Sequence, residues 1–364
     1  MEKARTAIIG CGKVGHIHAE ALSIIDESDF IAVCDHDHQR AKNFEKQFNV
    51  LPYTNVSKMI KESKIDLVIV CTPHPQHAEP AISAIREGAH VLVEKPLAAN
   101  LTDCDAMIAA ADLAGVKLGV MSQRRLYPPV QRVKNAITSG KIGKPILGIS
   151  MILGWRNKAY YNADIWRGTW KNEGGGVLVN QAPHQLDLLQ WFMGPIDELY
   201  GYWDNYNHPY IEVDDTSVAV LRFKNGAMGS IIISNSQRPG LFGKISVHGE
   251  NGSSVGVQTD SGAMFIAGIS DVLEPPKNDL WTVPGEENNL KYFLDKDKEE
   301  FNKINITNYF HMLQDKDFLR AVIDQRDPMV TAREGRIAVE VFTAIYRSQR
   351  EKRPIKFPVL EKKK

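Results

Sequence analysis

No apolar run in this sequence approaches the ~18 residues that a transmembrane helix needs. Neither sign of charge is in excess, since Lys+Arg and Asp+Glu both total 44. The first shortage argues against a membrane protein. The second leaves no global field that would collect nucleic acid or an anionic bilayer. The basic tail, Lys362 to Lys364, therefore reads as a solvated terminus. Cysteine is scarce: Cys11, Cys34, Cys71 and Cys104 form no Cys-x-x-Cys pair, which leaves no disulfide framework and no recognisable zinc motif. The eleven histidines include no His-Glu-x-x-His spacing, so no metal is expected. The opening MEKARTAIIG enters a strand at once and leaves no room for a secretion signal. A reducing cytoplasm is the simplest compartment.

What is present is a chain of 364 residues, long enough for two domains with cores of their own. Near its start a short β-branched run, RTAII, leads into Gly10-Cys11-Gly12-Lys13-Val14-Gly15, and the HIHAEALSII that follows has helical periodicity. Strand, glycine turn and helix in that order form a dinucleotide fingerprint. Gly10 permits the tight turn, Gly12 lets backbone approach a pyrophosphate, and Gly15 lets the helix pack on the strand. Lys13 and Val14 open the helix, whose unpaired N–H groups suit phosphates. A second strand, FIAVCD, ends in Asp35, twenty residues beyond Gly15. A carboxylate there accepts from both ribose hydroxyls and repels a 2′-phosphate, which favours NAD over NADP; Arg40 could still reach a phosphate.

The alternation continues through KIDLVIVCTP (64–73), a helix over 77–90, VLVEKPLA (91–98), a helix over 102–114 and VKLGVMSQ (116–123). Fully apolar strands between helices indicate a doubly wound parallel sheet. Ligands bind such sheets at the carboxyl ends of the strands. Thr72, Pro73 and His77 follow one strand there, and Glu94 and Lys95 follow the next, with Lys95 directed to the nicotinamide end of the crevice.

A second domain is expected over 124–364, after a first over 1–123. PILGISMILGW, DELYGYWDN, TSVAVLRF, AMGSIIISN and GKISVHGE read as antiparallel strands, with Asn225-Gly226 as a hairpin turn. One helix, from about Val177 to Phe192, interrupts them. On it Asn180, His184 and Asp187 fall at i, i+4 and i+7, on one face. Gly174 to Gly176 precede it and keep side chains away where the helix meets cofactor and substrate; a hinge is the competing explanation. Asp187 either holds the imidazole or faces a neighbouring strand. The 270–305 stretch reads as a long surface connection, and helices near 308–324 and 332–348 close the chain.

TPHPQHAEPAISAIREGAHVLVEKPLA, the glycine loop and GGGVLVNQAPHQLD together resemble the Gfo/Idh/MocA family, with the specific likeness in the first 125 residues and around 155–195. The resemblance implies an α/β fold: an N-terminal Rossmann domain plus a C-terminal α+β domain. The second domain would carry a large open, mostly antiparallel sheet used for oligomer contacts, so a homo-oligomer, dimer or tetramer, is expected. It also implies an NAD(P)-dependent oxidoreductase acting on a sugar or cyclitol. By motif, Lys95 matches the family's catalytic lysine and His184 its acid/base. Asn180 stands where many members carry aspartate, and an amide cannot take a proton as a carboxylate does. Trp166 and Arg167 match a pair that borders the nicotinamide and substrate. Arg124, Arg125 and Tyr127 lie where one domain hands over to the next and are candidates to line the cleft, with Tyr160 and Tyr161 as a sugar-stacking surface.

Oxidising a secondary alcohol requires a base for the hydroxyl proton and a positive group for the developing alkoxide. His184 is the expected base, Lys95 the electrostatic partner and Asn180 the group that positions the hydroxyl. With an amide at 180, Lys95 and His184 could exchange roles. Two rivals remain: an NAD-dependent glycoside-cleaving enzyme working by transient oxidation and elimination, and a non-catalytic NAD-binding protein.

Overall fold

The structure, a computed structural model, describes residues 3–260 and 275–360. The tail Lys362 to Lys364 and the first part of the 270–305 stretch lie outside the described residues. Packing divides the chain into two units, Met1–Gln123 with Ile306–Val339, and Arg124–Asn305 with Glu340–Lys364.

The first unit is built on β1 (Ala4–Ile9), β2 (Ser28–Cys34), β3 (Leu51–Tyr53), β4 (Leu67–Val70), β5 (His90–Val93) and β6 (Leu118–Val120). They form one parallel sheet in the order β3-β2-β1-β4-β5-β6. All four residues of β4, Leu-Val-Ile-Val, are buried, as expected of a strand covered on both faces. The order reverses between β1 and β4, which places the ligand crevice at their carboxyl ends. Ile8, Leu22, Val33, Phe44, Leu67 and Leu92 share a core with Phe318 and Leu319. Those last two come from the helix Ile306–Ile323, so a segment some two hundred residues downstream completes the first core. A Cβ on Gly119 would lie 2.8 Å from the Phe318 ring, which shows how closely it docks. A division of the chain at 123/124 does not see this return, because no local pattern records it.

The second unit carries β7 (Pro145–Leu153), β8 (Ile196–Asp204), β9 (Thr216–Phe223), β10 (Met228–Ser234), β11 (Phe242–Gly249), β12 (Ser254–Asp260), β13 (Lys277–Trp281) and β14 (Ile355–Lys356). Their order is β13-β12-β11-β7-β10-β9-β8-β14. Every neighbouring pair is antiparallel except β7–β10. The sheet is therefore mostly antiparallel, as expected; the parallel pair β7–β10 joins strands far apart in the chain, which no hairpin turn connects. Gly226, at φ +89°, makes the β9–β10 turn. β9 alternates strictly between buried and exposed residues, and the outer face of the sheet shows Tyr202, Val218, Val220 and Met228 to solvent.

Two expectations change. Residues 277–301 are no simple connection: they form β13 and a helix, Asn289–Phe301, joined by the Trp281–Phe293 ring contact at 5.1 Å. The helix expected from Val177 to Phe192 is broken into Val177–Asn180 and Pro183–Met193. Pro183 has no N–H to continue the first piece and starts the second at its favoured first position.

Two of the three glycines, Gly175 and Gly176, serve the fold. A Cβ at Gly176 would lie 1.8 Å from the Asp214 carbonyl oxygen, and one at Gly175 2.5 Å from the Tyr346 hydroxyl. Gly176 makes room for the protein's own backbone, and Gly175 for the side chains of Tyr346 and Val179. Gly176→Ala is therefore expected to lower stability by about 1–3 kcal/mol or more, read as a fall in denaturant midpoint; an unchanged midpoint would mean that the turn yields freely.

Candidate active site

The glycine loop of the first unit is shaped as a phosphate cradle. Gly10 lies at φ +102°, and a Cβ there would meet the Cys71 carbonyl carbon at 2.8 Å; on Gly15 it would meet the Gly10 oxygen at 2.3 Å. Gly12 differs: nothing lies within 4 Å of its notional Cβ, and its backbone is extended at φ −93°. Its side-chain-free face is open, as a cradle for pyrophosphate must be. The helix Lys13–Ile24 starts there with no side-chain cap, so its first N–H groups point at that space. Asp35 is held against the loop: it accepts from the Cys11 and Asp37 N–H groups, both at 2.8 Å. Arg40 pairs with Asp37 at 3.6 Å on the exposed side.

Thr72 and Pro73 follow β4, and Glu94 and Lys95 follow β5. His77 is fully buried, with Nε2 2.8 Å from the Thr72 oxygen and Nδ1 3.0 Å from the Pro96 oxygen. Both ring nitrogens face backbone carbonyls, so it ties the two strand-end loops together instead of offering a nitrogen to a cofactor. Glu94 is likewise committed within the unit. It accepts the Lys95 N–H at 2.9 Å and lies 3.1 Å from His18 Nε2 and 3.6 Å from His311 Nε2. On the other side His18 Nδ1 meets Asp315 at 2.8 Å. Burial disfavours a charged imidazole, but Asp315 and Glu94 outweigh it and raise the His18 pKa to about 10. Burial would raise Glu94 too, yet His18 and His311 hold it well below the usual carboxylate range. The ligating atoms of His18, Glu94 and His311 lie within 4.8 Å of one another; the His18 ring is shared between Glu94 and Asp315. Lys95 itself is half-buried.

In the second unit His184 is 3% exposed, in the first turn of Pro183–Met193. Asp187, left open between two roles, forms a fork with Arg125: its oxygens accept from Nε at 2.9 Å and Nη2 at 2.6 Å. Arg124 is drawn inward, Nη1 donating to Gln185, Thr259 and Asp260 at 3.1, 3.0 and 2.5 Å. Tyr127 and Tyr161 are buried. Tyr160 is buried as well, its hydroxyl accepting from Arg167 Nη1 and Gln181 Nε2. The Arg167 guanidinium lies 4.3 Å from the Tyr160 ring centroid and 4.4 Å from that of Trp166, a cation–π sandwich. Trp166, Arg167, Tyr160 and the 180–181 turn are thus brought together. At their centre is Glu173, which sequence reasoning missed. Its Oε2 accepts the Gly168 N–H and its Oε1 accepts from Asn180 Nδ2. Burial is the main cause that pushes its carboxyl up to about 7, against the lowering effect of those bonds.

Two sequence profiles match: the oxidoreductase family with NAD-binding Rossmann fold (GFO_IDH_MocA) over residues 4–122, and the GFO/IDH/MocA C-terminal domain over 130–255. The chain belongs to the GFO/IDH/MocA oxidoreductase family. It is similar to a myo-inositol 2-dehydrogenase from Thermotoga maritima, 29% identical over 97% of this chain and 98% of the relative. It is also similar to the WlbA dehydrogenase of Bordetella pertussis, solved with NADH and UDP-GlcNAcA: TM-score 0.83 and 30% identity over 99% of this chain and 100% of that one. A scyllo-inositol 2-dehydrogenase (NAD(+)) from Bacillus subtilis is 26% identical over 69% of this chain and 73% of its own length. Among the described residues no helix is long and apolar enough to cross a membrane.

As a GFO/IDH/MocA enzyme the protein is an NAD-binding oxidoreductase, and its glycine loop fits that cofactor. Glu173 carried one signal in the sequence, an acid placed directly before three glycines in EGGGVLVN. His18, His311 and Asp315 carried none, since they meet only through the fold. Gly12→Ala isolates the cradle. Stability is expected to stay unchanged, because the added methyl meets nothing, while NAD binding by calorimetry weakens about tenfold or more. Unchanged affinity would remove the loop from the pyrophosphate site.

Proposed function

We propose that this protein is an NAD-dependent dehydrogenase that oxidises a secondary alcohol of a sugar, glycoside or cyclitol. The observation that carries the cofactor half is Asp35, held by the open-faced glycine loop, where a carboxylate suits a free ribose 2′-hydroxyl and repels a 2′-phosphate. The substrate half is supported by the relatives, which include inositol dehydrogenases and a UDP-GlcNAcA-bound dehydrogenase.

NAD, when bound, supplies the two-electron oxidation. The chain supplies the acid–base and electrostatic work. His184 takes the hydroxyl proton, Lys95 stabilises the negative charge that develops on oxygen, and Asn180 orients the hydroxyl. Trp166 and Arg167, with Tyr160 behind them, form a wall beside the substrate, and Thr72 and Pro73 border the cofactor. With its four cysteines as free thiols, the protein is assigned to the cytoplasm.

Absorbance at 340 nm with NAD and a panel of inositols, hexoses, UDP-linked uronic acids and aryl glycosides tests this reading. A rise with one alcohol is expected, and Lys95→Ala should reduce kcat by about 10²–10³-fold. Aglycone released with a flat trace would instead mean cleavage by transient oxidation, and a fully active Lys95→Ala would remove the lysine from the chemistry.

The exposed stripe of Tyr202, Val218, Val220 and Met228 on the open sheet is assigned to contact with a second copy of the chain. Val220→Lys should shift sedimentation toward the monomer; a wild-type monomer would refute the assignment.

A further inference from the structure

The position assigned to orient the hydroxyl is an amide, and a buried carboxylate lies against it. Glu173 is 2% exposed and Asn180 7%. The contact is Asn180 Nδ2 to Glu173 Oε1 at 2.5 Å, and the second carboxylate oxygen is taken by the Gly168 N–H. An ionised carboxylate only accepts hydrogen bonds. It therefore dictates which end of the Asn180 amide faces it: the NH₂ goes to Glu173, and the carbonyl is left on the other branch.

We propose that Glu173 is a positioning residue that fixes the Asn180 amide so that its carbonyl, an acceptor, is the end presented to the substrate hydroxyl. The proposal rests on the assignment of Asn180 to the substrate site. It also explains why an amide stands at 180. Two carboxylates in that contact could not both ionise, and one would be held as the acid. Asparagine lets Glu173 keep its charge and still gives the substrate a neutral acceptor.

A consequence follows from the surroundings of Glu173. Arg167 is the cation that lowers its proton affinity, and Asp214 is the anion that raises it. Tyr160, Tyr161 and Tyr346 are the other titratable groups that feel its charge. Burial sets the balance near neutrality, at about 7. Below that pH Glu173 carries a proton and becomes a donor. The amide then turns its carbonyl toward Glu173 and its NH₂ toward the substrate, and the acceptor is lost. The pair acts as an amide switch whose productive state is the ionised one.

Two measurements decide this. The first is pH-difference infrared spectroscopy on the protein alone, which needs no substrate. A carboxylic-acid band that titrates near neutrality, vanishes in Glu173→Gln and moves together with a side-chain amide band is expected. A Glu173 band that titrates with ordinary exposed glutamates, or an amide band that does not respond, overturns the proposal.

The second is kinetics with NAD and myo-inositol, or the panel alcohol that turns over in its place. Glu173→Gln, whose NH₂ would meet that of Asn180, should turn the amide, lower kcat by about 10- to 100-fold and remove the inflection near neutral pH. The exchanged pair, Glu173→Gln with Asn180→Asp, restores a complementary contact and an acceptor at 180, and should recover most of the loss. A folded exchanged pair no better than Glu173→Gln would overturn the proposal, since simple packing requires no such rescue. If the wild-type protein oxidises no alcohol at all, the functional reading falls, and the infrared result still decides the amide switch.

Discussion

The second unit depends on one buried carboxylate. Asp214 accepts from the Gly176 N–H at 2.8 Å, the Leu178 N–H at 3.1 Å and the Tyr346 hydroxyl at 2.5 Å. It thereby satisfies the opening N–H groups of the short helix that ends in Asn180. The main-chain oxygen of the same residue accepts from Val177 and fills the space a Gly176 side chain would need. Burial raises its pKa in spite of those donors. Without this anchor the turn from Glu173 to His184 would have no fixed height above the sheet. Site geometry at the level of single ångströms decides catalytic efficiency, so the anchor is as consequential as the residues it positions.

The first unit solves a related problem with a proton. Glu94 and Asp315 are both buried, and two unbalanced carboxylates there would be costly. The imidazolium of His18 lies between them and offsets part of their charge, joining the glycine-loop helix, the loop bearing Lys95 and the helix Ile306–Ile323 in one hydrogen-bonded cluster. The result is a rigid backbone at Lys95, because the Glu94 carboxylate also accepts that residue's N–H. In both units the groups closest to the proposed chemistry are held by buried carboxylates whose charge is matched by donors contributed from elsewhere in the chain.

Much of this was legible in the sequence where the signal is local. The order strand, glycine turn, helix, acid-ended strand located Gly10, Gly12, Gly15 and Asp35, because the physical demands on each act within about thirty residues. The strand ends at Thr72 and Lys95 and the hairpin at Asn225-Gly226 were legible for the same reason. Of the three glycines before Val177, Gly175 and Gly176 face neighbours within the second unit that the sequence does not announce. Glycine marks a close approach in sequence without saying what approaches, and here it is Asp214 at Gly176 and Tyr346 at Gly175. Pro183 was present in the sequence, but the apolar pattern ran on through it and hid the break.

By itself the sequence determined the doubly wound first sheet, the cofactor cradle, the family, and the residue types available for acid–base work. Only the tertiary structure decided their partners. It gave Asp187 to Arg125, turned His77 to backbone carbonyls, returned Phe318 to the first core and set Glu173 against Asn180. The reason is physical: propensity and periodicity are properties of neighbouring residues, whereas the charge balance of a buried group is settled by whatever the fold brings within about 3 Å of it.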